Sequence, residues 1–417
     1  AGWFPAWHAV NSDPVSELKG GSRTGSVSRA ERRWLSGVAT AQIALTLALL
    51  VGAGLLVQSV RSLSNVDPGY TTENVLTMSV TAIGPNRIDF HRQALERLSG
   101  LPRVESAAFG WGVPLTGNKW NTTFEIEGQP NSAKLRDRIS LPSRAVSTDY
   151  FETLGQSLSA GRNFRPTDDR KAQSVAIVNQ AMVDRYLQGE IAVGRKLRFS
   201  GDPDSSIEIV GVLENARTDA LTDLAEPELY FSFWQRTPFS KHLIVGTSVD
   251  PEQLAVVVER ELRSIDPTVA VENIKPLEQV RAESVASRTV AMRLLVGFAL
   301  VACLLAVIGI YGVVSLVMDS RRGEVAVRMA VGAQRSDVLR LILSDGARLA
   351  AAGIGAGVLV ALILAGALKS FLFNVGPADP MTLAGMAVAV LGITLATSFV
   401  PARKATCVDP MDALRAE

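Results

Sequence analysis

Four long stretches of this chain carry no formal charge, and the sequence between them is amphipathic or polar. Arg33 and Arg61 enclose 27 such residues, Arg293 and Asp319 enclose 25, Arg348 and Lys369 enclose 20, and Asp379 and Arg403 enclose 23. About 20 apolar residues in a helix span a bilayer. The pattern therefore predicts transmembrane helices at 34–60, 294–318, 349–368 and 381–400. One such run could be a buried core helix, but four predict a membrane protein. The runs are rich in small residues, with Gly52 and Gly54, Gly309 and Gly312, and the pair Gly353 and Gly357. Small residues at this spacing let membrane helices approach closely. No run has an acid or base at its centre, which argues against a proton relay or an ion-coupled carrier.

Between the first two runs, residues 61–290 alternate in a way that predicts a mixed α/β domain. Val75–Val80 reads as a strand, Ile88–Leu98 as a helix and Val104–Phe109 as a strand. The same order returns with Leu243–Val249, Glu252–Ile265 and Val269–Ile274, the helix placing Leu254, Val257, Val258 and Leu262 on one side. Two strand–helix–strand units thus bracket a strand-rich piece at about 115–235. That piece contains strands at Thr122–Glu127, Val175–Val178 and Ile207–Val212 and a helix from Gln180 to Leu187. An open sheet with helices on one face is expected. Val280–Arg293 reads as a helical stalk entering the second run.

Composition narrows the functional classes. Net charge is +1, so no overall field favours nucleic acid. The two cysteines, Cys303 and Cys407, lie outside the 61–290 segment, and His8, His91 and His242 are scattered, so no metal cluster or disulfide framework is expected. There is neither a G-x-S-x-G nucleophile elbow nor a G-x-x-x-x-G-K-[ST] phosphate loop. A non-catalytic role is expected, with no cofactor bound by this chain. The opening residues Ala1-Gly-Trp-Phe-Pro5 lack an initiator Met and a signal-peptide pattern and read as the interior of a longer chain.

Basic residues set the orientation. Arg23, Arg29, Arg32 and Arg33 precede the first run, six arginines lie from Arg321 to Arg348, and Arg403, Lys404 and Arg415 follow the last. Both termini and the 319–348 segment are therefore expected in the cytoplasm, and 61–293 outside. Within 319–348, Glu324–Val331 can form a short helix stopped at Gly332. Ser336 suits the N-cap of a second helix, Asp337–Asp345, running on into the third span. The two chain ends also repeat. Pro5-Ala6-x-x-Ala9-x-x-x-Asp13-Pro14-x-x-x-Leu18-Lys19 matches Pro401-Ala402-x-x-Ala405-x-x-x-Asp409-Pro410-x-x-x-Leu414-Arg415 without a gap. This is the mark of a duplication. Residues 1–33 then read as the tail of a preceding repeat plus a linker, and 401–417 as the tail of this one.

At Arg321-x-x-Glu324-Val-Ala-Val-Arg328-x-Ala330-Val-Gly332-Ala333, and again in the terminal motif, the chain resembles MacB/FtsX-type ABC transporter permeases. The one-span, large-domain, three-span layout extends the resemblance from about residue 30 to the end, and the duplicated tail is most similar to tandem-repeat permeases of that family. Unlike MacB itself, these 417 residues include no ATPase domain. The resemblance implies an outside domain of MacB periplasmic-core type and a partner ABC ATPase carrying ATP and Mg. That partner would dock at Arg321, Glu324, Arg328, Ala330, Gly332, Ala333 and Ser336. It further implies a second permease unit (a homodimer or the parent chain's first repeat), a periplasmic adaptor, and efflux by mechanotransmission. An FtsX-like regulator of an outside hydrolase, transporting nothing, would share every one of these features. A membrane-bound receptor or enzyme without an ATPase partner would make Glu324 and Arg328 dispensable.

Overall fold

The structure is a computed structural model that describes residues 29–82, 87–127, 139–199, 202, 205–237, 241–320 and 334–406. It divides into two compact units, one formed by Ala1–Ser59 with Val290–Glu417 and the other by Val60–Thr289.

The first unit is built from four helices long and apolar enough to cross a membrane. They are α1 (Arg29–Ser64), α7 (Ala286–Ser320), α8 (Arg335–Ala367) and α9 (Pro380–Thr406). Each is longer than its charge-free run; α9 continues through Pro401 rather than stopping before it. Helix α1 is the hub. Its Ile43, Leu47, Ala48, Val51 and Leu55 are buried in one cluster with Ala306 and Ile310 of α7, Ala361 and Ala365 of α8, and Val390 of α9. Small residues make this possible. A Cβ on Gly353 would come within 2.6 Å of Ile43, and one on Gly357 within 2.9 Å of the Ala44 carbonyl oxygen. Polar side chains add direction. Gln42 Nε2 donates to the Leu305 carbonyl at 3.2 Å, and Thr46 Oγ1 donates to that of Ala302, also at 3.2 Å. At the other end, the Phe373 N–H donates to Ser59 Oγ at 2.8 Å, holding the α8–α9 connection against α1.

The second unit is an eleven-stranded sheet with helices. One half contains β1 (Val75–Thr81), α2 (Arg87–Ser99), β2 (Val104–Gly110), β10 (Lys241–Thr247), α5 (Pro251–Ile265) and β11 (Ala270–Pro276). The strand order is β11-β1-β10-β2, so the two expected strand–helix–strand units, which flank the inserted piece along the chain, interleave in the sheet as a split βαβ pair. Both helices face one side, where Phe90, Ala94 and Leu98 meet Leu254, Val258 and Leu262 over Leu76, Met78, Leu243 and Val245. Asp250 caps α5 by accepting the Glu252 N–H at 3.0 Å, with Pro251 in the first turn. Val257, expected on the buried side, is 43% exposed; Val258 takes the core position.

The other half holds β3 (Trp120–Ile126), β4 (Ile139–Val146), β5 (Leu158–Gly161), β6 (Ser174–Asn179), β7 (Lys196–Phe199), β8 (Ile207–Leu213) and β9 (Leu229–Ser232). The short helices α3 (Tyr150–Thr153) and α4 (Gln180–Tyr186) accompany them. Its own core gathers Phe124, Val178, Met182, Leu197, Ile209 and Phe231. Val280–Arg293 is not one helix. Helix α6 (Leu277–Ser284) ends at Val285, and α7 begins at Ala286.

Candidate functional site

The polar segment between the second and third spans enters the described structure at Gln334, where α8 begins. Gln334 has extended backbone (φ −75, ψ 153) and is the N-cap. Ser336 is not the cap. It already lies inside the first turn, with Oγ 3.4 Å from Gln334 Oε1. Asp337 closes the cap from inside the first turn, its Oδ2 accepting the Gln334 N–H at 3.1 Å. A carboxylate there also meets the positive end of the helix dipole.

The start of α8 is amphipathic. Ser336, Asp337 and Arg340 are exposed, whereas Val338 and Ile342 are buried in one cluster with Val314 and Met318 of α7 and Ala402 of α9. One turn further, a Cβ on Gly346 would come within 2.9 Å of Ser398 Oγ on α9. The ends of three helices on this side therefore pack as one body around the beginning of α8. Helix α8 continues without interruption for 33 residues, from the polar segment to Ala367. Asp345 and Arg348 form an exposed pair at 3.7 Å.

Arg321, Glu324, Arg328, Ala330, Gly332 and Ala333 lie outside the described residues, as do Asp409, Pro410, Leu414 and Arg415. Pro401 and Ala402 are in the last turns of α9, Ala402 fully buried, and Ala405 is in the same helix. Sequence reasoning missed Gln334 and Ser398. Gln is not a favoured N-cap residue, and a lone Ser in an apolar run looks like a packing residue until its partner helix is known.

His91 and Lys241 are both fully buried, with Lys241 Nζ 3.5 Å from His91 Nδ1 and 5.5 Å from the Phe233 ring centre. Burial, reinforced by the neighbouring ammonium, pushes the His91 imidazole down to about 3. Burial also lowers the Lys241 amine to about 8. The pair sits beneath α2 among Phe90, Phe109 and Phe233, closed to solvent, and offers no surface to a substrate. A cleft of about 1080 Å³ opens elsewhere, lined by Asp67, Asp184, Arg185, Asn215, Arg217 and Leu224 among others. Among the described residues no three His, Cys, Asp or Glu side chains gather as metal ligands.

Residues 35–284 match the MacB-like periplasmic core domain, and residues 296–410 match the FtsX-like permease C-terminal domain. The macrolide export ATP-binding/permease protein MacB of Neisseria meningitidis serogroup A is 24% identical over 290 residues, covering 64% of this chain and 42% of that protein. The pyoverdine export ATP-binding/permease protein PvdT of Pseudomonas aeruginosa is 26% identical over 288 residues, covering 65% and 42%. The chain thus spans about two-fifths of these relatives' length. Among solved structures, the periplasmic region of MacB from Actinobacillus actinomycetemcomitans superposes with a TM-score of 0.37 at 13% identity, covering 53% of this chain and 97% of that one.

Proposed function

We propose, from the premise that this chain belongs to the MacB/FtsX-type family of ABC permeases, that it is the membrane subunit of an ABC-type exporter. The four apolar helices form its membrane part, and the α/β unit is its extracytoplasmic core domain. A separate ATPase supplies ATP hydrolysis and docks from the cytoplasm on the 319–348 segment through Arg321, Glu324 and Arg328. Both termini share that side, and the membrane is the bacterial cytoplasmic one.

The observation that carries this reading is the single helix α8. It starts in the polar segment, is capped there by Gln334 and Asp337, and runs 33 residues into the membrane bundle. At 1.5 Å per residue it is about 50 Å long, well beyond the roughly 30 Å hydrocarbon core. Displacement of its first turn has no flexible link in which to dissipate. It passes through Gly353 and Gly357 to α1, which the other helices touch. The permease then works by transmitting force rather than by opening a charged path through its spans. A second permease unit completes the assembly.

The test is a charge reversal. Arg328→Glu should abolish co-purification of the ATPase while the variant still inserts and folds. ATPase retained at the wild-type level would refute docking at this segment. An export assay with a macrolide or a pyoverdine, the cargoes for which the relatives are named, separates an exporter from a regulator that moves nothing.

A further inference from the structure

Among the described residues, the two halves of the α/β unit are joined in the sheet at a single paired position, Gly110 on β2 with Val146 on β4. Two backbone hydrogen bonds flank it, Trp111 N–H to the Ala145 carbonyl and Ser147 N–H to the Phe109 carbonyl, both at 2.8 Å. By contrast β10 and β2 pair at six positions, and so do β6 and β8. A seam this short would flex if nothing else held it.

The buried Phe109 N–H also donates to Ser147 Oγ at 3.0 Å across it and the Phe109 ring stacks on Phe233, and to these contacts is added a buried charge cluster centred on Arg144 of β4. The Arg144 side chain is 1% exposed and is held on three sides. Its Nε donates to Glu228 Oε1 at 3.3 Å, its Nη2 to Asp219 Oδ1 at 3.3 Å, and its Nη1 to the Asn118 carbonyl at 3.1 Å. Glu228, itself buried, also accepts from Thr218 Oγ1 at 2.6 Å and from the Tyr230 hydroxyl. Lys119 pairs with the other oxygen of Asp219. These partners all belong to the inserted half or its connections.

The cluster reaches the other half through Gly112. The Gly112 N–H donates to Nδ1 of His242, on β10, at 3.1 Å, and its carbonyl accepts from the Tyr150 hydroxyl at 3.4 Å. Asn118 Nδ2 lies 3.5 Å from the other His242 nitrogen. Gly112 has φ +82, and a Cβ there would stand 2.2 Å from the Asn118 carbonyl oxygen and 3.0 Å from Arg144 Nη1. Only glycine can be gripped this closely. Burial, then the Arg144 charge, lowers the His242 pKa, which keeps a ring nitrogen free to accept.

Stability alone does not call for such a cluster. Removing several ions from water costs several kcal/mol each, and apolar residues of similar volume often hold a core as well. An ion cluster differs from an apolar contact in being directional, because it satisfies its bonds in one arrangement only. We propose that the Arg144–Glu228–Asp219 cluster, with Gly112 and His242, is a lock that fixes the angle between the two halves of the α/β unit across the short β2–β4 seam. The lock is a property of this unit alone, and its test reads neither export nor ATPase binding.

Hydrogen–deuterium exchange on the full chain in detergent tests it. The variants are Arg144→Met with Glu228→Gln, which leaves no buried charge unpaired, and His242→Leu, which acts from the other half. Asp219→Asn is a milder third variant should the double one fail to fold. The expected result is at least tenfold faster exchange at the Trp111 and Ser147 amides. Amides inside the β10–β2 and β6–β8 ladders should stay within about twofold of wild type. Unchanged exchange at Trp111 and Ser147 overturns the proposal. So does a uniform rise across both ladders, since the cluster would then be a general stabiliser.

Discussion

Two buried side chains make the α/β unit sensitive to pH in opposite parts of the scale. His91 titrates at about 3 in the folded chain against 6.5 when free. The unfolded chain therefore takes up a proton between pH 6.5 and 3 that the folded chain refuses. Stability is full above pH 6.5 and is lost as pH falls through this window. At pH 5.5 the loss is about 1.4 kcal/mol. Urea unfolding followed by tryptophan fluorescence at pH 7.5 and 5.5 should show it, and His91→Leu should remove most of the difference. Lys241 is lowered from 10.5 to about 8, so its penalty persists at neutral pH and lifts only as pH rises from 8 to 10.5. Lys241→Met should raise the unfolding midpoint at pH 7 and flatten that alkaline rise; a lower midpoint would mean that the ammonium contributes a favourable contact. Neither residue announced itself in the sequence. A lysine opening a strand and a histidine on a helix normally face water, and only the interleaving of β10 with β1 brings them together beneath α2.

At the scale of elements, the packing of α8 on α1 depends on missing side chains. Gly353→Leu would drive its Cβ to 2.6 Å from Ile43 and 3.2 Å from the Thr40 carbonyl oxygen, whereas a Cβ on Gly355 meets nothing within 4 Å. Overpacking of this kind costs about 1–3 kcal/mol. Gly353→Leu should lower the melting temperature in detergent, and Gly355→Leu should leave it unchanged. Equal effects would place the α1–α8 contact elsewhere. The small-xxx-small spacing made this contact legible in advance, and charge-free length did the same for the spans. Strands β1, β2, β3, β6, β8, β10 and β11 were legible from the pattern of apolar positions. Others were not. Strand β4 contains Pro142 and Arg144, which periodicity reads as a break and a surface charge, although Arg144 is buried. Strands β5, β7 and β9 have four residues each, too few to show a period. The cap at Gln334 was hidden because Ser336 is the better capping residue by type, and the backbone chose the position where Asp337 could reach back.

At the scale of the whole molecule, the division into a helical membrane unit and an α/β unit could be read from hydropathy alone. The order β11-β1-β10-β2 could not, because register between strands about 170 residues apart leaves no trace in local pattern. Docking of an ATPase at Arg321, Glu324 and Arg328 is proposed from the sequence, and these positions lie outside the described residues. Force transmission requires the start of α8 and the α/β unit to face opposite sides of one bilayer. Sided cysteine labelling in intact cells measures this directly, using Ser336→Cys and Leu224→Cys, both at exposed positions, in a chain lacking Cys303 and Cys407. A membrane-impermeant maleimide should label position 224 in intact cells and position 336 only after the membrane is opened. Labelling of both positions from the same side would contradict force transmission across the membrane.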